Sequence, residues 1–269
     1  MLKNYLKIAA RTLIKNRNYA LINIIGLSLG MAAVFIISRF VFEELSYDKH
    51  NQFKDRIYRV YQNGKEKSGT TQDVLTEAIK DKFPEIEKTV RIYKYWQDYN
   101  LIRYINRIEK VEPFYFADPE IFDVLNIPLL QGNTETCLDD PDAVVITRQF
   151  GEKYFPGQNP FGKILTIRYG NSFYDRKITA ILDEIPKNTY VNPDVLLPLK
   201  FLEQVEQSDL FTNWGFNSVT TLFLLKKNAE IEQLTAKLNN FVSALAPEWF
   251  KPDYRLQPLT RVHLYSSDI

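Results

Sequence analysis

Residues 19–42 read YALINIIGLSLGMAAVFIISRFVF and carry one charge, Arg39, near the far end. As a helix rising 1.5 Å per residue, the run spans about 36 Å, enough for a hydrocarbon core of about 30 Å. Soluble domains rarely bury so long an uninterrupted apolar stretch, so the segment predicts a transmembrane helix. A cleaved signal peptide fits poorly. Its apolar core would be about 7–15 residues behind a short basic start. Here the basic start is long, and no small-x-small site follows Arg39, where the chain continues FVFEELSYD.

Charge is distributed to match. Residues 1–42 hold no Asp or Glu but contain Lys3, Lys7, Arg11, Lys15, Arg17 and Arg39. That leaves 28 basic against 33 acidic residues in 43–269, a net of −5. Five bases precede the span, while Glu43, Glu44 and Asp48 follow it. The positive-inside rule then puts the N-terminus in the cytoplasm and residues 43–269 outside the inner (plasma) membrane. Lys3, Lys7, Arg11 and Lys15 are spaced i, i+4, which forms one stripe on a helix. Residues 1–18 therefore read as an amphipathic basic segment lying on the anionic inner leaflet, or as a topogenic charge cluster without a fixed helix. Within the span, Gly26 and Gly30 make a G-x-x-x-G that admits a second helix closely, and Asn23 favours a protein partner over lipid. The three mark a helix-packing face.

The 269 residues leave room for one large or two small domains outside the membrane. Residues 57–63 (IYRVYQN) and 88–95 alternate as strands, and 71–82 between them has helical spacing. The order recurs near the C-terminus, with strands at 217–226 and 253–259 around an amphipathic helix at 229–245. Two β-α-β halves pair most simply as one split, ferredoxin-like sheet with helices on one face. Between them, strand character recurs at 101–109, 111–117, 143–147, 163–169, 173–182 and 194–199, with short helices at 118–125 and 148–155. The fold class is therefore α+β. One transmembrane helix (19–42) and a stalk (43–56) lead to a split βαβ lobe (57–96 and 214–260). A mostly-β lobe (97–213) is inserted into it, and 261–269 forms a return segment.

Residues 157–163, GQNPFGK, match G-x-x-x-x-G-K, but a phosphate loop needs Ser or Thr next, and Ile164 stands there. The loop also follows a helical segment and opens a strand, the reverse of a phosphate site, and Pro160 removes an N–H donor. The paired acids Asp139-Asp140-Asp142 and Asp183-Glu184 have no spacing suited to general acid/base work or calcium. Cys137 is the one cysteine, so no internal disulfide forms. His50 and His263, the only histidines, have no ligand spacing, and each reads as a surface or hinge residue. Net charge is +1, and the 34 Tyr and Phe residues do not interleave with a basic patch, so no nucleic acid is expected. The residues predict no catalytic, cofactor or metal site.

Several blocks, in order, resemble one family. The opening NYLKIAARTLIKNRNYALINIIGLSLGMA and the following FEELSYDKHNQFKDRIYRVY are similar to the start of FtsX-like/MacB-like ABC transporter permeases. FYFADPEIFDVLNIPLLQGN, DDPDAVVITRQFGEKYFPGQNPFGKILTI and ITAILDEIPKNTYVNPDVLLPL resemble successive parts of the MacB-like periplasmic core domain. LQPLTRVHLYSSDI resembles the stretch leading to a second span. The resemblance implies a four-span permease with a porter-like βαβ lobe and an inserted β-rich lobe outside the membrane. It also implies dimers, homo- or heterodimeric, working with a cytoplasmic ABC ATPase subunit. Such permeases transmit ATP-driven motion to the periplasm for efflux or for activation of a periplasmic partner protein. The sequence stops at Ile269, before spans two to four, so it reads as a fragment, a truncated reading frame or a divergent single-span member. The alternative is a single-span anchored periplasmic binding or scaffold protein.

Overall fold

A computed structural model describes residues 2–64, 67–95, 100–104, 107–111, 114–206 and 213–266. Parts of the tethers expected for the inserted lobe near 97–103 and 200–214, namely 97–99 and 207–212, and the end of the return segment at 267–269, lie outside them. The chain divides into two compact units, residues 1–46 and 47–269.

The first unit is helical. α1 (Leu2–Lys15) and α2 (Arg17–Leu45) are separated at Asn16, whose φ of −109° and ψ of 42° break the helix. α2 buries none of its residues within the chain, and its length and hydropathy suffice to cross a membrane. A helix so apolar needs lipid or other helices as its solvent.

The second unit opens with β1 (Ile57–Asn63), β2 (Lys67–Ser68), β3 (Thr71–Gln72), α3 (Leu75–Ile79) and β4 (Ile86–Lys94). A middle section follows. It runs β5 (Asn100–Tyr104), β6 (Arg107–Val111), β7 (Phe114–Ala117), α4 (Ile121–Leu125), β8 (Leu129–Gln131) and β9 (Ala143–Thr147). It continues with α5 (Arg148–Tyr154), β10 (Ile164–Tyr169), β11 (Ser172–Leu182), β12 (Val195–Pro198) and α6 (Leu199–Val205). The chain then returns through β13 (Asn217–Leu225), α7 (Ile231–Leu245), β14 (Tyr254–Pro258) and α8 (Leu259–Val262).

One sheet holds these strands in the order β14-β1-β13-β4-β7-β12-β9-β11-β10-β5-β6. Its first four strands are antiparallel neighbours, with Arg59 opposite both Leu222 and Gln257, and Val90 opposite Leu222. This is the split βαβ arrangement, in which strands far apart in sequence alternate in space. Period-two side chains divide it into faces. Val60, Phe223 and Leu225 point with Tyr254 into a core under α3 and α7. Ile57, Val90, Ile92, Leu222 and Leu224 fill the opposite face, which α4 and α8 cover through Ile121, Phe122, Leu259 and Val262.

The sheet passes into the middle section without a break, because β4 pairs with β7 from Ile92–Ala117 to Lys94–Tyr115. The third core belongs to that section, where Phe114, Phe116, Ile146, Leu197 and Phe201 are fully buried. The buried Arg176 guanidinium lies 4.2 Å from the Phe201 ring centre and bonds Asp142 at 2.5 Å.

Two elements differ from their sequence expectation. The helix expected over 71–82 is confined to Leu75–Ile79. Thr71 and Gln72 are drawn into β3 against β13, where the Thr71 and Thr221 hydroxyls meet at 2.7 Å. At the other end Asp81 takes a left-handed φ of 57°. The strands expected at 101–109 and 111–117 are three: β5, β6 and β7. The strand-like sequence pattern runs on over 101–109, so periodicity did not mark the division into β5 and β6.

Candidate functional site

The outer unit begins and ends at the same place. The rings of Tyr47 and His263 stack with centres 3.5 Å apart and planes within 6°. Asp48, almost fully buried, adopts a φ of 56°, and its Oδ1 accepts from Thr189 Oγ1 and the Tyr190 amide, each at 3.0 Å. Its own amide donates to the Asn188 carbonyl at 2.9 Å. Burial raises the Asp48 carboxyl above its ordinary range. Asn51, also buried, donates to the Leu125 carbonyl at 2.7 Å, and its Oδ1 accepts from the Phe53 amide at 2.8 Å. Asp48 and Asn51 thus fasten the incoming chain to the 188–190 loop and to the end of α4.

The outgoing chain is fastened beside it. Arg59, on β1, donates to Gln257 Oε1 at 2.7 Å and to Ser266 Oγ at 2.9 Å. Gln257 donates in turn to the Tyr265 carbonyl at 3.0 Å. Incoming and outgoing segments therefore share one rigid corner.

A second set of charges ties β4 to the middle section. Arg91 makes a bidentate pair with Asp118, at 2.9 and 2.8 Å, and reaches Glu203 at 3.2 Å. Lys88 pairs with Asp123. Lys88, Arg91, Asp118 and Asp123 border a groove of about 660 Å³ whose wall is mostly charged.

The residues singled out from the sequence fall as follows. Lys3, Lys7, Arg11 and Lys15 all lie exposed on α1. Asn23, Gly26 and Gly30 lie exposed on α2, with nothing within 4 Å of a side chain added at either glycine. By helical spacing the three share one side. In the GQNPFGK turn four of the amides are already used. Those of Gln158, Phe161, Gly162 and Lys163 donate to Phe155 O, Asn159 Oδ1, Ile178 O and Pro160 O at 2.8–3.0 Å. The Lys163 ammonium bonds the Gln158 side chain. Cys137 is buried, and burial pushes its thiol up to about 12, which leaves it un-ionised and unreactive. No group of three metal-ligating side chains occurs among the described residues.

Residues 20–241 match the MacB-like periplasmic core domain. The chain belongs to this family. MacB-like core domains form the periplasmic part of ABC transporter permeases, and the match begins inside the apolar helix α2. Solved structures repeat the fold. A domain from Porphyromonas gingivalis, assigned as part of a permease, is 20% identical with a TM-score of 0.67, covering 77% of this chain and 92% of its own. The periplasmic region of MacB from Actinobacillus actinomycetemcomitans is 14% identical with a TM-score of 0.54, covering 80% and 94%. The extracellular domain of the noncanonic ABC-type transporter YknZ from Gram-positive bacteria is 13% identical with a TM-score of 0.53, covering 75% and 99%. No curated protein matches. The chain thus joins a MacB-like periplasmic core domain to a helix which, among the described residues, is the one long and apolar enough to cross a membrane.

The sequence delimits the stalk FEELSYDKHNQF as a region but does not single out its working residues. The signal available was D-x-x-N directly after a membrane segment, two short polar side chains suited to closing turns. The pairing of Tyr47 with His263 joins residues more than two hundred positions apart, and no local pattern announces it.

Proposed function

We propose that this chain is a non-catalytic permease part that passes ATP-driven motion from its membrane helix to the periplasm, for export or for activation of a partner. The observation that carries the reading is the shared corner. The chain enters beside the place where it leaves, through Tyr47, Asp48, Asn51, Arg59 and His263. A displacement delivered there meets a continuous sheet, not a hinge, and the Arg91–Asp118 pair carries it from β4 into the middle section. Within the sheet, residues 57–96 and 214–260 serve as the porter-like lobe, and residues 97–213 as the inserted lobe.

In this reading the N-terminus is cytoplasmic. The stripe of Lys3, Lys7, Arg11 and Lys15 contacts anionic lipid of the inner leaflet, worth about 1 kcal/mol per base near the surface. Asn23, Gly26 and Gly30 receive a neighbouring span of the same or a partner permease. The ATP is hydrolysed by a separate cytoplasmic subunit.

The test is purification of the affinity-tagged full chain from its native membrane in mild detergent, with bound proteins identified by mass spectrometry. An ABC ATPase should co-purify in stoichiometric amount. Its consistent absence would favour the single-span anchored scaffold instead.

A further inference from the structure

The sheet forks. The β13–β4 ladder ends at Thr220 opposite Ile92. Beyond that point β4 runs on against β7, through Tyr93–Phe116 and Lys94–Tyr115, while β13 runs on against β3, through Val219–Thr71 and Asn217–Gln72. The two strands part, and a cavity of about 410 Å³ lies in the gap. Its volume falls in the range of ligand pockets, roughly 300–1,000 Å³.

The wall has a distinct chemistry. Tyr93, Tyr115 and Tyr190 line it together with the hydroxyl residues Thr70, Ser218 and Thr220, and Lys94 at its wall holds its ammonium 5.5 Å from the Tyr115 ring centre. Rigid amphipathic rings mixed with small hydroxyls are the composition of surfaces that bind polypeptide. Ser218 is held in place from behind. The fully buried Asp73 has both carboxylate oxygens 2.8 Å from Ser218 Oγ. The hydroxyl proton is thus committed to Asp73, and the oxygen keeps its lone pairs for an N–H donor. Burial pushes the Tyr115 phenol up to about 12, so it meets a ligand as a neutral hydroxyl. With the Val219 amide turned to Asp73 and its carbonyl to Thr71, Tyr93, Lys94 and Ser218 border the gap on strands that no longer pair with each other. That is the setting in which an extended segment adds as a strand.

We propose that this fork binds an extended polypeptide segment, seating an apolar or aromatic side chain between Tyr115 and Tyr190. The proposal rests on the function above only in taking the segment to belong to a substrate or partner protein. It can be tested without ATPase or nucleotide, so its failure is distinguishable from failure of that function.

The experiment uses the full chain in nanodiscs and fluorescence anisotropy. The probe is a fluorescein-labelled pentapeptide amide with Phe at its centre and Val and Thr on either side. Saturable binding is expected. Tyr190→Ala, and Thr70→Trp, which fills the mouth, should each weaken it at least ~10-fold, while Tyr190→Phe retains it. N-methylation of the central peptide amides should weaken it similarly, because strand addition uses those groups. The absence of saturable binding up to about 1 mM, a weak-binding limit, would overturn the proposal. So would binding that both Tyr190→Ala and Thr70→Trp leave unchanged. If the N-methylated peptide binds equally well and sodium decanoate displaces it, the cavity takes small apolar molecules and the peptide reading is wrong.

Discussion

Tyr47 and His263 stack face to face at 3.5 Å although they open and close the outer unit. The contact makes a loop of the whole domain, with both ends held at one corner. Aromatic pairs of this kind contribute about 0.5–1.5 kcal/mol beyond their buried area. A double-mutant cycle with Tyr47→Ala and His263→Ala, read by denaturant unfolding of the full chain, should return a coupling energy in that range. Strictly additive losses would mean that the two ends are held independently.

Asn51 presents a stronger fastening. Its side chain satisfies the Leu125 carbonyl and the Phe53 amide, both otherwise deprived of these partners. Asn51→Ala leaves a buried carbonyl unpaired and should destabilise the outer domain by about 2 kcal/mol. Asn51→Asp keeps the acceptor but loses the donor, and should cost at least as much at neutral pH. Thermal unfolding followed by circular dichroism measures both.

Asp73 predicts a pH dependence. Burial raises its carboxyl from 3.8 to about 6, with the Ser218 hydroxyl opposing the shift. Between those values the folded protein holds more protons than the unfolded one, so this group's stabilising contribution is present at about pH 4 and is lost as pH rises through 6. Asp73→Asn removes the titration. The stability of the variant relative to the parent should therefore increase between pH 4 and pH 7, by about 1–3 kcal/mol. A gap between their melting temperatures that stays constant across this range would refute the assignment.

The proposed orientation rests on the bases ahead of α2. A reporter active only outside the cytoplasm should be active when fused after Lys67 and silent when fused before Tyr19. Changing Lys7, Arg11, Lys15 and Arg17 to Gln should weaken that contrast. The reverse pattern would place the core domain on the wrong side for a periplasmic role.

Much of this fold was legible from local pattern. The apolar run at 19–42 lies inside α2, and the strand at 143–147 coincides with β9. The two β-α-β repeats were visible because alternation and helical spacing are properties of neighbouring residues. What escaped is what depends on distant partners. β3 exists because Thr71 finds Thr221, and helical periodicity around residue 71 could not reveal it. The fork draws Tyr93, Tyr115 and Tyr190 from three separate segments, each of which reads alone as ordinary core aromatic content. Asp73 looks like one more surface acid until Ser218 is placed on it.

The most direct test of the account is the distance between outer domains in the assembled permease with its ATPase. Trp249 is 65% exposed and accepts a spin label as Trp249→Cys, provided the buried Cys137 is first replaced by Ala. Pulsed electron paramagnetic resonance would compare the nucleotide-free complex with one trapped by ATP and vanadate. The account predicts a shift in the distance between the two labelled chains on trapping, with the distance between labels at Lys49 and residue 249 of a single chain unchanged. An inter-chain distance indifferent to nucleotide would contradict it.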